Sequence, residues 1–306
     1  MARRLMMRIS ETGHQMAGPI SAPAVRIAYD AIADAYDAQV ARSSWVRERL
    51  WQRLDALFAP GARVLDATAG TGTDALHLAA RGVAVTACDL SPAMLERLAA
   101  KAPAITTRVA DCARLAAAFP AARFDGVLST FAGLNTVTDL AGFAAGAAGL
   151  LEPGGVLFVH LLNRLPLAAL ARRFRSGGWQ AGAAGVAAAW RGCRLVTIGG
   201  VPVPHRLHSP RRLYRDVFAR DFALLRVSGQ GVLRPVDDPA EPAAGPGSRR
   251  RRGRDRWEER LGAWPSSRGL GTFFALEMRR RGGSAARSAS RSNTPAGPRP
   301  METVRR

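Results

Sequence analysis

Between residues 60 and 165 the chain alternates two patterns, short continuous apolar runs and longer runs with helical spacing. ARVLDA is a brief apolar run ending in an acid. A glycine-rich turn follows, and DALHLAAR then has helical periodicity closed by Gly82. VAVTACD and ITTRVAD repeat the apolar run with an acid at its end, and FDGVLST and VLFVHLL are two more such runs. Between them, SPAMLERLAAKA reads as a helix with Ser91 as N-cap and Pro92 at its first position. Residues 138–151 read as another helix, stopped by Pro153-Gly154-Gly155. The strands are continuous rather than alternating, as expected when helices cover both faces of a parallel sheet. The spacing predicts a doubly wound, mostly parallel α/β sheet.

The flanks complete the picture. Residues 24–58 are helical in pattern, with Tyr29 and Tyr36 two turns apart on one face. After residue 162, PLAALARRF reads as helix, GGWQAGAAGVAAAW as a flexible small-residue stretch, and CRLVTIGG and VPVPHRLH as short strands. SPRRLYRDVFAR reads as a helix, DFALLRVSG as a sixth core strand, RWEERLGAW as a short helix and GTFFALEMRR as a seventh strand. A Pro/Gly/Arg loop is expected over 235–254. The expected organisation is a disordered N-terminus (1–20), a helical cover (21–58), the α/β core (59–162), an insert or cap (163–220), completing strands (221–281) and a disordered basic tail (282–306).

Composition changes this reading little. The 306 residues are 47% hydrophobic, enough for a sizeable core. The formal charge of +20 suggests nucleic acid, but Lys101 is the only lysine and the charge is uneven: SRRRRGRDR is a basic cluster, the tail from Arg279 is almost free of acids, and residues 60–155 are not notably basic. Nucleic acid is therefore not expected as a partner. The three cysteines, Cys88, Cys112 and Cys193, are widely spaced and form neither a disulfide framework nor a zinc motif, so no metal site is expected. No signal peptide or membrane span is read, and a cytoplasmic protein without membrane contact is expected.

In a parallel α/β sheet, ligands bind outside the carboxyl ends of the strands. Asp66, Asp89 and Asp111 sit at three successive strand ends, and Gly70 and Gly72 lie in the turn after the first. Each acid alone could cap a helix or turn; three together beside a glycine-rich turn point to a ligand crevice. GTGTDA also fits the loose dinucleotide fingerprint, with Asp89 about twenty residues on, but this does not separate nicotinamide cofactors from S-adenosylmethionine.

The wider context does. VLDATAGTGTDALHLAARGVAVTACDLSPAMLERL, ITTRVADCARL, FDGVLSTFAGLNTV and LLEPGGVLFVHLLNR closely resemble successive motifs of class I S-adenosylmethionine-dependent methyltransferases. AYDAIADAYD resembles the family's N-terminal cofactor-covering helix. The resemblance implies a Rossmann-like seven-stranded sheet with an antiparallel last strand, N-terminal helices and an insert after the fifth strand. It also implies cofactor roles: Gly70 and Gly72 along the methionine portion, Asp66 orienting its amino group, Asp89 with Leu90 at the ribose, Asp111 and Cys112 at the adenine. Ser129 and Thr130 would lie near the methionine end, with Tyr36 in the cover. The family usually has glycine where this chain has Thr68, a β-branched residue that narrows the cofactor loop and is tolerable only at negative φ.

Methyl transfer is an in-line displacement, and the family's enzymes need a base only for weakly acidic acceptors. His160, at the end of the fifth strand, is the best-placed candidate; His205 and His208 lie in the insert. Phe131 and Asn135 follow the fourth strand, where acceptors approach, so Phe131, Asn135 and His205 are candidate substrate contacts. A small-molecule acceptor is expected; oligomeric state is not legible. Trp179, Trp190, Trp257 and Trp264 read as ordinary packing or the lining of an apolar pocket. The alternatives are a catalytically silent or nucleic-acid-binding scaffold on the same fold, and a nicotinamide-dependent oxidoreductase. The second lacks the usual Tyr-x-x-x-Lys pair.

Overall fold

The computed structural model describes residues 20–40, 44–233, 236 and 249–282. The expectations for the two chain ends lie almost wholly outside these residues. The described chain contains strands β1 (Arg63–Asp66), β2 (Ala84–Asp89), β3 (Thr106–Val109), β4 (Phe124–Ser129), β5 (Leu151–Leu162), β6 (Cys193–Ile198), β7 (Val201–Arg206), β8 (Phe222–Gln230) and β9 (Phe273–Arg280). β6 and β7 pair as an antiparallel hairpin; the others form one seven-stranded sheet in the order β3-β2-β1-β4-β5-β9-β8. Pairing is parallel from β3 through β5, and β9 runs antiparallel to both β5 and β8. Strand order therefore reverses between β1 and β4, which opens a crevice at their carboxyl ends.

Alternate residues of the central strands face two different cores, which is why these runs are apolar throughout. Leu65, Val127, Leu157 and Leu161 face α7 (Leu140–Leu150) through Phe143 and Ala147. Val64, Leu128 and Phe158 face the other way, against Leu50 and Leu54 of α3 (Ser44–Leu57), Leu78 of α4 (Thr73–Ala80) and Leu98 of α5 (Pro92–Lys101). Arg53 of α3 reaches across to the buried Glu277 of β9 in a two-bond ion pair, at 2.8 and 2.7 Å. The cap expected at Ser91 is present: its Oγ accepts the Met94 N–H at 3.1 Å.

The helical N-terminal stretch is three helices, with α1 (Ala22–Asp30) and α2 (Ala33–Val40) ahead of α3, and a one-turn α6 (Leu115–Ala118) lies between β3 and β4. After β5 come α8 (Leu167–Ser176) and α9 (Gly178–Arg191), then the hairpin and a short α10 (Pro210–Leu213). α10 continues as a π-helical turn over Tyr214–Phe218, and α11 (Arg249–Ala263) begins inside the expected loop. α9 is a correction, because the small-residue stretch expected to be flexible is a regular helix. Alanine is the best helix former, and the glycines let α9 approach α8 closely. A Cβ at Gly182 would lie 2.2 Å from the Phe174 ring, and one at Gly185 would lie 2.8 Å from Leu170. The tryptophans are a second correction: Trp179, Trp190, Trp257 and Trp264 are 78%, 79%, 56% and 60% exposed, so none is core packing.

Candidate active site

A cavity of about 310 Å³ lies in the crevice beyond β1, β2 and β4. Its floor includes Thr68 and Gly70, one wall carries Asp89, Leu90, Asp111 and Cys112, and the opposite wall carries Thr130 and Phe131. Val25 and Tyr29 of α1 and Tyr36 of α2 roof it. Tyr29 and Tyr36 meet edge to face, 6.3 Å between centroids. The roof is latched by polar contacts: Ser91 Oγ donates to Asp30, Thr71 Oγ1 donates to Asp37, and the Lys101 ammonium lies 2.9 Å from the other Asp37 oxygen.

The two aspartates at the ends of β1 and β2 have different surroundings. Asp89 lines the cavity; its Oδ2 accepts the Gly70 N–H at 2.8 Å and its Oδ1 the Ser91 N–H at 2.9 Å. These bonds fix the carboxylate plane and leave each oxygen further acceptor capacity. Burial raises the Asp89 carboxyl above its usual range, opposed by the backbone N–H groups of Ser91, Gly70 and Leu90. Asp66 is 1% exposed and lies beneath the loop, outside the cavity lining, accepting the Thr68 N–H at 3.3 Å. Burial and the nearby Asp74 push its carboxyl well above the usual range. Asp111 accepts the Ala113 N–H at 2.9 Å as the cap of a short 3-10 turn, while still bordering the cavity.

Gly70 and Gly72 both have positive φ, +54° and +84°, which the tight turn requires. Gly70 lines the cavity; Gly72 does not, and a Cβ there would lie 2.1 Å from Leu98. Thr68 is not among the positive-φ residues. Its hydroxyl shares a 2.7 Å hydrogen bond with the buried Ser129, and its side chain fills the space a Cβ on Gly133 would occupy, 2.5 Å away. The departure from the family's glycine is thus complemented by a glycine across the crevice.

His160, Asn135 and His205 lie outside the cavity lining. His160 is buried and stacks on Phe273, 4.6 Å between centroids. Its Nδ1 accepts the Phe131 N–H at 3.2 Å and its carbonyl accepts the Ala132 N–H at 3.1 Å. Phe131 and Ala132 have φ of +47° and +69°, so His160 ties down a left-handed turn that non-glycine residues rarely adopt. Burial pushes its imidazole down to about 3. Asn135 is buried, bonded through Oδ1 to the Leu162 N–H at 3.0 Å and through Nδ2 to the Arg206 carbonyl. His205 Nδ1 lies 3.0 Å from the Val203 carbonyl, and burial pushes it down to about 4.

Sequence reasoning missed a buried cluster behind the Phe131 wall. Asp74 Oδ1 accepts from Arg47 Nη1 at 2.6 Å and Trp51 Nε1 at 2.8 Å, and Oδ2 accepts from Thr130 Oγ1 at 2.6 Å. The Arg47 guanidinium also lies 4.0 Å from the Phe131 ring centroid. The available signal was Asp74 itself, an acid beside Ala75 and Leu78 on the inward face of α4.

Comparison with known proteins agrees with this geometry. Residues 64–155 match the model of a methyltransferase domain. The chain is 37% identical over 143 residues to the demethylmenaquinone methyltransferase of Beutenbergia cavernae, covering 46% of this chain and 58% of that protein. It is 39% identical over 124 residues to the ubiquinone biosynthesis O-methyltransferase of Xanthomonas campestris pv. campestris, covering 38% of this chain and 51% of that one. The chain thus spans between half and two thirds of the length of these relatives. The fold resembles that of the DhpI–SAH complex (TM-score 0.55, 16% identity, 87% of this chain and 99% of that one). It also resembles an S-adenosylmethionine-dependent methyltransferase from Thermotoga maritima (TM-score 0.53, 16% identity, 83% and 98%). Residues 64–155 thus match a methyltransferase domain, and the fold is the Rossmann-like fold of class I S-adenosylmethionine-dependent methyltransferases. S-adenosylmethionine is the family's cofactor, and the donor set fits it: an anchored carboxylate for a pair of hydroxyls, an apolar slot ending at Asp111 for a flat base, and a glycine turn beside it.

Proposed function

We propose that this protein methylates a small-molecule acceptor whose nucleophile is itself acidic, such as a phenol, an enol or the carbon of an enolisable ring. S-adenosylmethionine supplies an electrophilic methyl group on a sulfonium. Asp89 holds the ribose hydroxyls, Leu90, Asp111 and Cys112 flank the adenine, and Gly70 and Tyr36 border the methionine end. Asp66 and Ser129 shape the loops from beneath, and Thr130 lines the wall beside Phe131. Phe131, framed by Arg47, forms the wall against which the acceptor packs, and the roof helices exclude water from the reacting atoms.

The observation that carries this reading is that the cavity offers an acceptor no uncommitted base: its carboxylates, Asp89, Asp111 and Asp139, each accept backbone N–H groups. Among the described residues no histidine lines the cavity. Tyr36 is pushed up to about 12, and Tyr29 is raised further, mainly by burial. Both are neutral phenols at working pH and can orient an acceptor but not deprotonate it. An acceptor that ionises unaided needs no base. The names of the two relatives, which concern quinones, support a ring acceptor of this type.

The test is methyl transfer from labelled cofactor to a panel of phenols, hydroquinones and aliphatic amines. Transfer to the ring hydroxyls or ring carbons, with His160→Gln losing only what its folded fraction loses, is expected. Transfer to amines alone would refute the reading.

A further inference from the structure

The insert after β5 carries a surface that the chemistry above does not use. One side of α9 (Ala181, Gly182, Gly185, Ala188 and Ala189) is buried, in part against α8. The opposite side carries Trp179, Ala183, Val186, Ala187 and Trp190 at intervals of four, seven, eight and eleven residues, a single stripe on a helix. It forms one side of a shallow groove whose edges are Phe174 and Arg191. Both indole rings stand in solvent, about 16 Å apart along the axis. The insert's own charge has one sign. From residue 153 to residue 215 there are ten arginines and neither an aspartate nor a glutamate, and Arg175 and Arg191 are exposed beside the tryptophans.

We propose that this face docks peripherally on an anionic lipid bilayer. Indole rings favour the headgroup level, where the ring is buried and the N–H stays wet, and arginines beside them are drawn to anionic lipid. A second copy of the chain would bring the same positive charge to the contact. A nucleic acid would need polar groups between its stacking rings, and Ala183, Val186 and Ala187 offer none. Among the described residues no helix is long and apolar enough to cross a membrane, so the contact is peripheral. α9 packs on β6 of the hairpin, and Val196, Ile198 and Val203 of that hairpin share a core with Val25 and Ala28 of α1, the cavity's roof. One insert therefore joins the docking face to the roof. The proposal stands independently of the acceptor chemistry, because its readout is lipid binding without cofactor.

The test is co-sedimentation of the full chain with phosphatidylcholine vesicles, with and without phosphatidylglycerol. Wild type is compared with Trp179→Ser/Trp190→Ser and with Val186→Glu. These side chains are exposed, so the variants should melt as wild type does. Binding only to the anionic vesicles, weakened about tenfold or more by either variant, is expected. Binding that both variants retain would show attraction through arginines elsewhere and overturn the assignment. So would no binding to either vesicle, tighter binding to an RNA duplex that the same variants abolish, or a wild-type dimer that the variants dissociate.

Discussion

The buried cluster at Asp74 gives the sharpest prediction about what holds the site's wall in place. Asp74 and Arg47 expose 4% and 9% of their side chains, so little water screens them. In Asp74→Asn the amide oxygen still faces Arg47 and Trp51, and the Thr130 hydroxyl can turn to accept from the new NH₂. The loss falls on the ion pair, which leaves a guanidinium buried without its counter-charge. Breaking one partner of such a pair costs about 3–5 kcal/mol, a large part of a typical domain's stability. Guanidinium or urea unfolding of wild type, Asp74→Asn, Arg47→Met and the double variant measures it. The single Asp74 variant should lose about 3–5 kcal/mol, and the double variant should be more stable than the sum of the singles by about 2 kcal/mol. A loss below about 1 kcal/mol, or strict additivity, would refute the claim that the pair supports this wall.

Gly133→Ala places a Cβ 2.5 Å from Thr68 Oγ1 and should cost about 1–3 kcal/mol; adding Thr68→Gly should restore most of it, and melting temperatures of the three variants decide this. His160→Gln removes the acceptor that holds Phe131, and the sign of its pH dependence follows from burial. Folding lowers the imidazole from 6.5 to about 3, so between those values the unfolded chain binds a proton that the folded chain refuses. Wild type therefore loses stability relative to the variant as pH falls, by about 2 kcal/mol from about pH 6.5 to about pH 5. A pH-independent difference in denaturation midpoints would mean that the ring is solvated.

The sheet was legible because strands buried on both faces are continuous apolar runs, and the acids at or just beyond their ends, with the glycine turn, marked where a ligand sits. What was not legible depended on partners distant in sequence. Arg47 and Asp74 are 27 residues apart, and nothing local in either marks the pair. His160 reads as a base from its place at a strand end; that its Nδ1 accepts the N–H of Phe131, in a left-handed turn, is visible only in the fold. The stretch from Gly178 to Arg191 misleads because small residues look flexible in isolation, whereas here they are the surface through which α9 meets α8. The tryptophans beside them mislead in the opposite sense, since large aromatic residues suggest a core and these stand in solvent.

The most direct test of the central claim is calorimetric titration of the folded protein with S-adenosylmethionine and, separately, with NADPH, in wild type and Asp89→Ala. Charge-assisted bonds to the ribose are worth about 1.5–3 kcal/mol, so the substitution should weaken cofactor binding by about tenfold or more. Saturable binding of S-adenosylmethionine alone, weakened in this way, is the expected result. Folded wild-type protein that binds NADPH instead, or binds S-adenosylmethionine equally well without the Asp89 carboxylate, would contradict the account.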